Sequence, residues 1–546
     1  MDAIETSLAK PSVQKRSWLT LLQMAILILA VVCAFAPAFR ASFIDLDDQD
    51  YVFGNPEVMQ GLTGHGIKWA ITSRANGLWL PVTRLSLMQD GEFSLSLYGA
   101  PPATGLPNAT VYHVTNVILH ALGTCFLFLF LKRATRLPWQ SFAIALIWAI
   151  HPLRVESVAW VTERKDVLSG LFGFMSLYFY VIWTERRGVL WYGATCVALM
   201  LSLLSKPTFV SAPFLMLIVD FWPLRRWSTW RELRGAIVEK VPLFVLGVGY
   251  ALLGSYIARR MTSQDVGHLI TGVLNYGRYA WMQVDVSRLA PFYPYRLPVI
   301  WIAALVGVGI VLVTVAALAT RRRWPWFAGG WLWYLAAGVP VVGFVHAFDQ
   351  GYADRFTYFP SVGLVALVVM AIPGAAFRGK ALALILPILA VAALILGART
   401  FHQTTLWHDS ETLFSYAKDV TPPNELVHRC LATAYRRDGR TDDALRELQT
   451  AVSIQPDSFA AWAALADLYM STMQYDAAIK AIDTAVPLAQ GGLARDLRAD
   501  ARVVQGVAYL RLGKLSEAED RFQEVLREFP DHQKAKMAMV ELAKVR

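Results

Sequence analysis

FIDLDDQDYVFGNPEV, residues 43–58, decides how the chain is read. It follows an apolar run at 18–39 and sets Asp45, Asp47, Asp48 and Asp50 within a few residues of a membrane boundary. Carboxylates so near hydrocarbon carry a desolvation cost, so they usually mark a functional or ion-handling site. The bland alternative is a solvated loop that happens to be acidic, and the rest of the chain weighs against it.

Outward from this loop the chain is strongly apolar. Of 546 residues, 55% are hydrophobic and 19 are Trp, with a mean hydropathy of +0.41, which does not describe a soluble globular domain. Apolar segments recur at 18–39, 110–131, 139–150, 167–183, 189–204, 208–222, 241–257, 298–319, 327–345, 358–373 and 381–398. They predict an all-α polytopic membrane protein of about 11 transmembrane helices over 1–399, followed by a soluble domain at 400–546. Short basic loops alternate with the segments: Lys132-Arg133-Arg136, Arg186-Arg187, Arg225 to Lys240, Arg321-Arg322-Arg323 and Arg378-Lys380. They set topology, with the N-terminus and its Lys10, Lys15, Arg16 cluster cytoplasmic. The formal net charge of +10 therefore does not imply nucleic acid, and no basic run is interleaved with exposed aromatics. An odd number of spans puts the tail on the face of the acidic loop, periplasmic if the membrane is a bacterial inner membrane and lumenal if it is the endoplasmic reticulum. Four cysteines, three of them inside apolar runs, give no disulfide framework.

The third segment is too short. Residues 139–150 rise about 18 Å as a helix, well under the hydrocarbon thickness. HPLRVESVAWVTERKD follows, with His151, Arg154, Glu156, Glu163, Arg164, Lys165 and Asp166. Polar irregular backbone at that depth is tolerated where it lines a wet cavity or is buried in protein; a snorkelling helix end is the structural alternative. On the same face lie Lys206-Pro207, the stretch 259–297 with Arg278, Asp285 and Arg288, and HAFDQGYADRFTYFP (346–360) with Asp349, Asp354, Arg355 and Tyr358. The 259–297 stretch is expected in the interface or re-entering the membrane. In the second segment His113 and Asn116 are three apart and share a helix face, with His120 beyond them.

The tail is periodic. Frames of 34 residues from Glu425 and Phe459 put small residues at equivalent places: Ala432, Ala444 and Ala451, then Ala466, Ala478 and Ala485. A third frame from Ala499 gives Gly506 and Ala518, and WHDSETLFSYAKDVTPPN reads as a preceding half-repeat. This is the tetratricopeptide (TPR) pattern, an α-solenoid whose concave face takes an extended peptide or a protein.

Acidic groups, cations and aromatics at a membrane surface suit transfer from a lipid-phosphate donor. The lipid tail stays in the bilayer, cations hold the phosphate as it leaves, and a carboxylate acts as general base on the incoming hydroxyl. An ordinary carboxylate cannot ionise an alcohol beforehand, so proton removal is concerted with attack and the anomeric centre inverts.

The stretches DLDDQDYVFGNPEV, LPVTRLSL, YHVTNVILHAL, HPLRVESVAWVTERKDVLSGLF, LSKPTFVSAPFLMLIVDFWPLRR, ADRFTYFPSVGL and WHDSETLF, followed by TPRs, resemble the transmembrane-and-TPR-containing (TMTC) group of GT-C glycosyltransferases, bacterial relatives included. The resemblance implies a GT-C-like membrane enzyme that moves one sugar from a polyprenyl-phosphate donor to a protein Ser or Thr recruited by the TPRs. It puts the base on Asp47-Asp48, either of the two. Phosphate-binding candidates are Arg164, Lys165 and Arg355, with Arg278 and Lys206 behind them. Glu156, Asp166 and Asp354 orient those cations or meet sugar hydroxyls, and His113, Asn116, His151, Arg154 and Tyr358 complete the candidate substrate-binding set. Phe356 departs from the pattern, in which Tyr commonly follows ADR. A divalent cation, Mg or Mn, stays open, since related oligosaccharyltransferases use one and mannosyltransferase relatives do without. Alternative readings keep the donor with a lipid or surface-glycan acceptor, or make the chain a non-enzymatic scaffold.

Overall fold

The computed structural model describes residues 13–99, 106–258, 266–344, 350–489 and 494–546. Lys10 and Asp349 lie outside the described residues. The chain is all-α apart from one two-stranded antiparallel pair among the described residues, Tyr293–Pro294 with Gln350–Tyr352. That pair ties the 259–297 stretch to the 346–360 stretch, a pairing that hydropathy could not reveal.

Each of the eleven apolar segments falls on a helix. Among the described residues five helices are long and apolar enough to cross a membrane: Thr110–Thr135, Val161–Arg186, Trp230–Gly254, Ile300–Thr320 and Gly379–Thr405. A sixth arises if Pro138–Ala149 and Pro152–Ala159, bent by 62° at their junction, count as one broken span. The chain is thus a multi-pass membrane protein. The bend comes from Pro152, which lacks the N–H a continuing helix needs, and His151 Nδ1 takes the Leu153 amide at 3.3 Å instead. The too-short third segment therefore turns sharply into the charged stretch.

The first polar loop is more structured than its composition suggests. Besides short helical turns it holds an 18-residue helix, Pro81–Tyr98, that the hydropathy reading passed over because half of its positions are polar. Its buried Leu87 and Met88 join Phe43, Val52 and Tyr112 in a small core beneath the acidic turn.

In the tail, helices begin at Glu425 and Phe459 and pair with Thr441–Ile454 and Tyr475–Ala485, so the 34-residue frames coincide with helix starts. Ala432, Ala444, Ala451, Ala466, Ala478 and Ala485 are all buried where paired helices meet. Gly506 lies against Phe522, whose ring a Cβ would meet at 2.4 Å. The half-repeat helix Ser410–Val420 is no spacer: Trp407, Leu413, Phe414, Val427 and Leu431 share one core with Phe35, Ile44 and Trp160 of the membrane part. The solenoid base is fused to the first loop.

Candidate functional site

The acidic turn and the stretch after the bend meet. Asp48 is fully buried and acts as a clasp: one oxygen accepts the Ile44 amide at 2.9 Å, and the other accepts the Thr162 amide at 2.9 Å and the Thr162 hydroxyl. Burial pushes its carboxyl up to about 7 against the opposing pull of these donors. Every oxygen of Asp48 is thus engaged in holding residues 44–48 onto the 160–163 turn. Asp47, the residue before it, is free of such bonds, its side chain 43% exposed and 3.8 Å from Lys165 Nζ.

The cations gather on a carboxylate to which the sequence assigned no role. Glu163, 1% exposed, takes Lys206 Nζ at 2.7 Å, Lys165 Nζ at 3.3 Å and Arg355 Nε at 3.2 Å. Around this hub, Asp166 takes Lys206 at 2.8 Å and the Ser157 hydroxyl at 3.0 Å. Glu156 takes the Arg355 guanidinium, and the Arg355 amide at 2.7 Å. Arg355 spends its remaining arm on Gln350 at 2.8 Å and lies over the Trp160 and Phe356 rings. Phe356, the departure from the pattern noted in the sequence, thus supplies a ring face to the arginine. Asp354 is buried, accepts the Tyr293 hydroxyl at 2.8 Å, and is held well above the usual carboxylate range by that burial and by Glu156. Of the three hub cations Lys165 is the least committed. Its contacts are Glu163, the more distant Asp47, and the faces of Tyr51 and Trp160 at 4.9 and 6.0 Å.

Other expected residues build the wall. Arg164 points away from the hub and is fully spent, on Asp90 at 2.5 Å, Ser86 at 2.8 Å, the Tyr112 carbonyl at 2.8 Å and Asn116. Asn116 in turn donates to the Val158 and Trp160 carbonyls at 3.2 and 3.1 Å, fixing the turn before Glu163. Tyr358 is buried with its hydroxyl 2.8 Å from His120 and its ring against Gly170, where a Cβ would sit 2.5 Å away. Arg154 bonds Thr357 and lies over Trp148 and Tyr358, with Nε and one Nη buried and unpartnered. His151 Nε2 meets the Gln283 carbonyl at 3.1 Å, and His113 is fully buried on the Asn116 helix. Arg278 bonds Asn275 at 3.0 Å and lies over Tyr352, apart from the Glu163 hub.

These carboxylates do not fit a resident divalent ion. Glu156, Glu163 and Asp166 are each matched to cations, Asp48 is filled by protein donors, and Asp45 pairs with Arg437 at 2.7 Å. Among the described residues no group of three His, Cys, Asp or Glu side chains is arranged to hold a metal.

Two family models described as tetratricopeptide repeat match residues 435–501 and 483–533. The chain is 23% identical over 370 residues to a Caenorhabditis elegans protein named protein O-mannosyl-transferase F38B6.6, covering 63% of this chain and 51% of that one. That is a length the C-terminal repeats alone cannot fill. It is 30% identical over 176 residues to protein O-mannosyl-transferase TMTC1 of Mus musculus, 30% of this chain and 17% of that one. It is 36% identical over 86 residues to TMTC2 of Mus musculus, 16% and 10% of the two chains. The chain thus spans about half the length, or less, of these curated relatives. A solved APC/C hetero-tetramer, Cut9-Hcn1, aligns over 86% of this chain and 90% of its own at 14% identity and a TM-score of 0.23, too low to bear on the fold. The likeness to the TMTC type, with tetratricopeptide repeats at the C-terminus, therefore stands on both the membrane part and the tail.

Proposed function

We propose that this chain is a membrane protein O-glycosyltransferase that moves one sugar from a polyprenyl-phosphate carrier to a protein Ser or Thr. The observation that carries the reading is the half-exposed Asp47 carboxylate 3.8 Å from Lys165, at the edge of a hub where Lys165, Lys206 and Arg355 share Glu163. Asp47 is the general base and Asp48 the clasp that aims it. The acceptor oxygen attacks the anomeric carbon from the side opposite the phosphate, and its proton passes to Asp47 in the same step. The bond from that carbon to the phosphate oxygen breaks, and its electron pair leaves with the polyprenyl phosphate, so configuration inverts. Lys165 binds the departing phosphate directly, because a lysine with one close partner keeps donors to spend. Arg355 and Lys206, already paired, supply positive field and hold Glu163 and Glu156 in place. No step requires a metal.

In this reading residues 1–399 form the GT-C-like catalytic unit and 400–546 the TPR unit. The TPR unit lies on the face of the acidic loop, periplasmic in a bacterial inner membrane, and presents the acceptor protein. The relatives' names make mannose the first sugar to test. Intact-mass analysis of envelope proteins from cells with and without this chain should show single-hexose increments that require it and vanish in Asp47→Asn. Identical mass profiles in the two cell populations would end the reading.

A further inference from the structure

At the end of the bundle opposite the acidic loop lies a cavity of about 600 Å³ with four arginines in its wall, Arg133, Arg136, Arg225 and Arg226. Arg133 and Asn116 ride the same helix, about 25 Å apart along its axis, so this cavity is remote from the Glu163 hub. Two of the arginines are neutralised: Arg133 by Glu185 at 2.5 Å, Arg226 by Asp220 at 2.9 Å and Glu239 at 2.6 Å. Arg136 and Arg225 are exposed, and no side-chain hydrogen bond or ion pair engages either among the described residues. Glu185, the one carboxylate in the wall, is already spent on Arg133, so the cavity keeps an uncompensated positive charge.

The cavity also has an apolar extension. Ala134, Thr135, Trp222 and Pro223 are shared with an apolar cleft of only about 30 Å³, lined by residues such as Phe130, Val219 and Trp333 and closed off where Gly330 and Gly363 pack against one another. Arginines that only set topology need to reach the membrane surface and nothing more. Here unpaired guanidinium groups flank a hollow whose far side is hydrocarbon-like.

We propose that this cavity binds an anionic phospholipid of the leaflet opposite the acidic loop, its phosphate between Arg136 and Arg225 and its acyl chains running from the apolar side of the cavity into the bilayer. A guanidinium matches a phosphate in shape and charge, and basic pockets between membrane helices take anionic head groups. The apolar side of the cavity, Ala134, Trp222 and Pro223, favours a lipid over a free anion. The site is separate from the transfer chemistry and independent of it.

The test is native mass spectrometry of the full chain in detergent, titrated with phosphatidylglycerol or phosphatidylcholine. Wild type should retain one phosphatidylglycerol in preference to phosphatidylcholine, and R136Q/R225Q should bind it about thirtyfold more weakly, the loss expected from two arginines at a membrane surface. Millimolar inorganic phosphate should not displace the lipid. Equal retention of the two lipids, unchanged affinity in the variant, or displacement by inorganic phosphate would overturn the proposal. Photo-crosslinking of wild type with an anionic phospholipid probe needs no variant to fold. Adducts on residues 130–137 and 218–226 support the site, and adducts confined elsewhere overturn it.

Discussion

The solenoid holds the acidic loop in place, and Arg437→Ala measures how strongly. Arg437 ends the first full repeat helix and pairs with Asp45, two residues before Asp47, at 2.7 Å. Two backbone contacts flank the pair: the Ser42 amide donates to the His408 carbonyl at 2.7 Å and the Asp45 amide to the Ser410 hydroxyl at 2.8 Å. The Asp45 side chain is 5% exposed, the Arg437 side chain 27%. Breaking a fully buried pair costs about 3–5 kcal/mol. Water reaches the arginine here, so about 2 kcal/mol is the better figure, close to a charged hydrogen bond. That is roughly a thirtyfold rise in the loop's opening constant.

Hydrogen exchange reads this directly: in Arg437→Ala, peptides covering 42–48 should exchange about thirtyfold faster, while 110–135 should not change. The effect has a pH sign. Burial already holds the Asp45 carboxyl above its ordinary value, and Arg437 pulls it back down. A raised acid favours the folded state when protonated, so its contribution falls as pH rises. The variant should therefore lose more protection at pH 8 than at pH 5. Exchange at Ser42 and Asp45 within threefold of wild type at both pH values would refute the clamp.

Three further outcomes follow from the same geometry. Lys165→Met should raise the KM for the lipid-phosphate donor at least tenfold, since it removes the least committed cation; an unchanged KM in a donor titration would move phosphate binding elsewhere. Glu163→Gln leaves three cations without their shared counter-ion, though each keeps a second partner, so it should cost about 3 kcal/mol, read as a lowered Tm in detergent. A Tm equal to wild type would mean that the hub is not structural. Asp48 is raised to about 7 by burial, so folded-state stability should decline from about pH 4 to about pH 7 as this group ionises. Asp48→Asn should flatten that slope, and an unaltered slope in Tm against pH would assign it to another group.

Several of these features were readable in the sequence. The eleven apolar segments and the 34-residue frames each landed on helices, because hydropathy and small-residue spacing report burial directly. The contacts among Asp47, Lys165, Lys206, Arg355 and Glu163 agree with the expectation that these stretches share one face of the membrane. What spacing cannot supply is direction. Arg164 and Lys165 are neighbours on one helix, about 100° apart around its axis, and only the lysine faces the hub; the arginine turns to Asp90 on a helix that hydropathy overlooked. Asp47 and Asp48 are likewise alike in sequence, and burial alone separates the clasp, Asp48, from the exposed Asp47 proposed as base. Glu163 is named in the charged stretch but given no role, because a carboxylate that gathers cations from three separate stretches is a tertiary property.

The division of labour between the two aspartates is tested most directly by the rate of hexose transfer in Asp47→Asn, with Tm measured on the same sample. The account predicts a loss of about a hundredfold to ten-thousandfold, the range for a missing general base, with Tm as in wild type. An Asp47→Asn protein that keeps more than about a tenth of its transfer rate, beside a well-folded Asp48→Asn protein that has none, would contradict it.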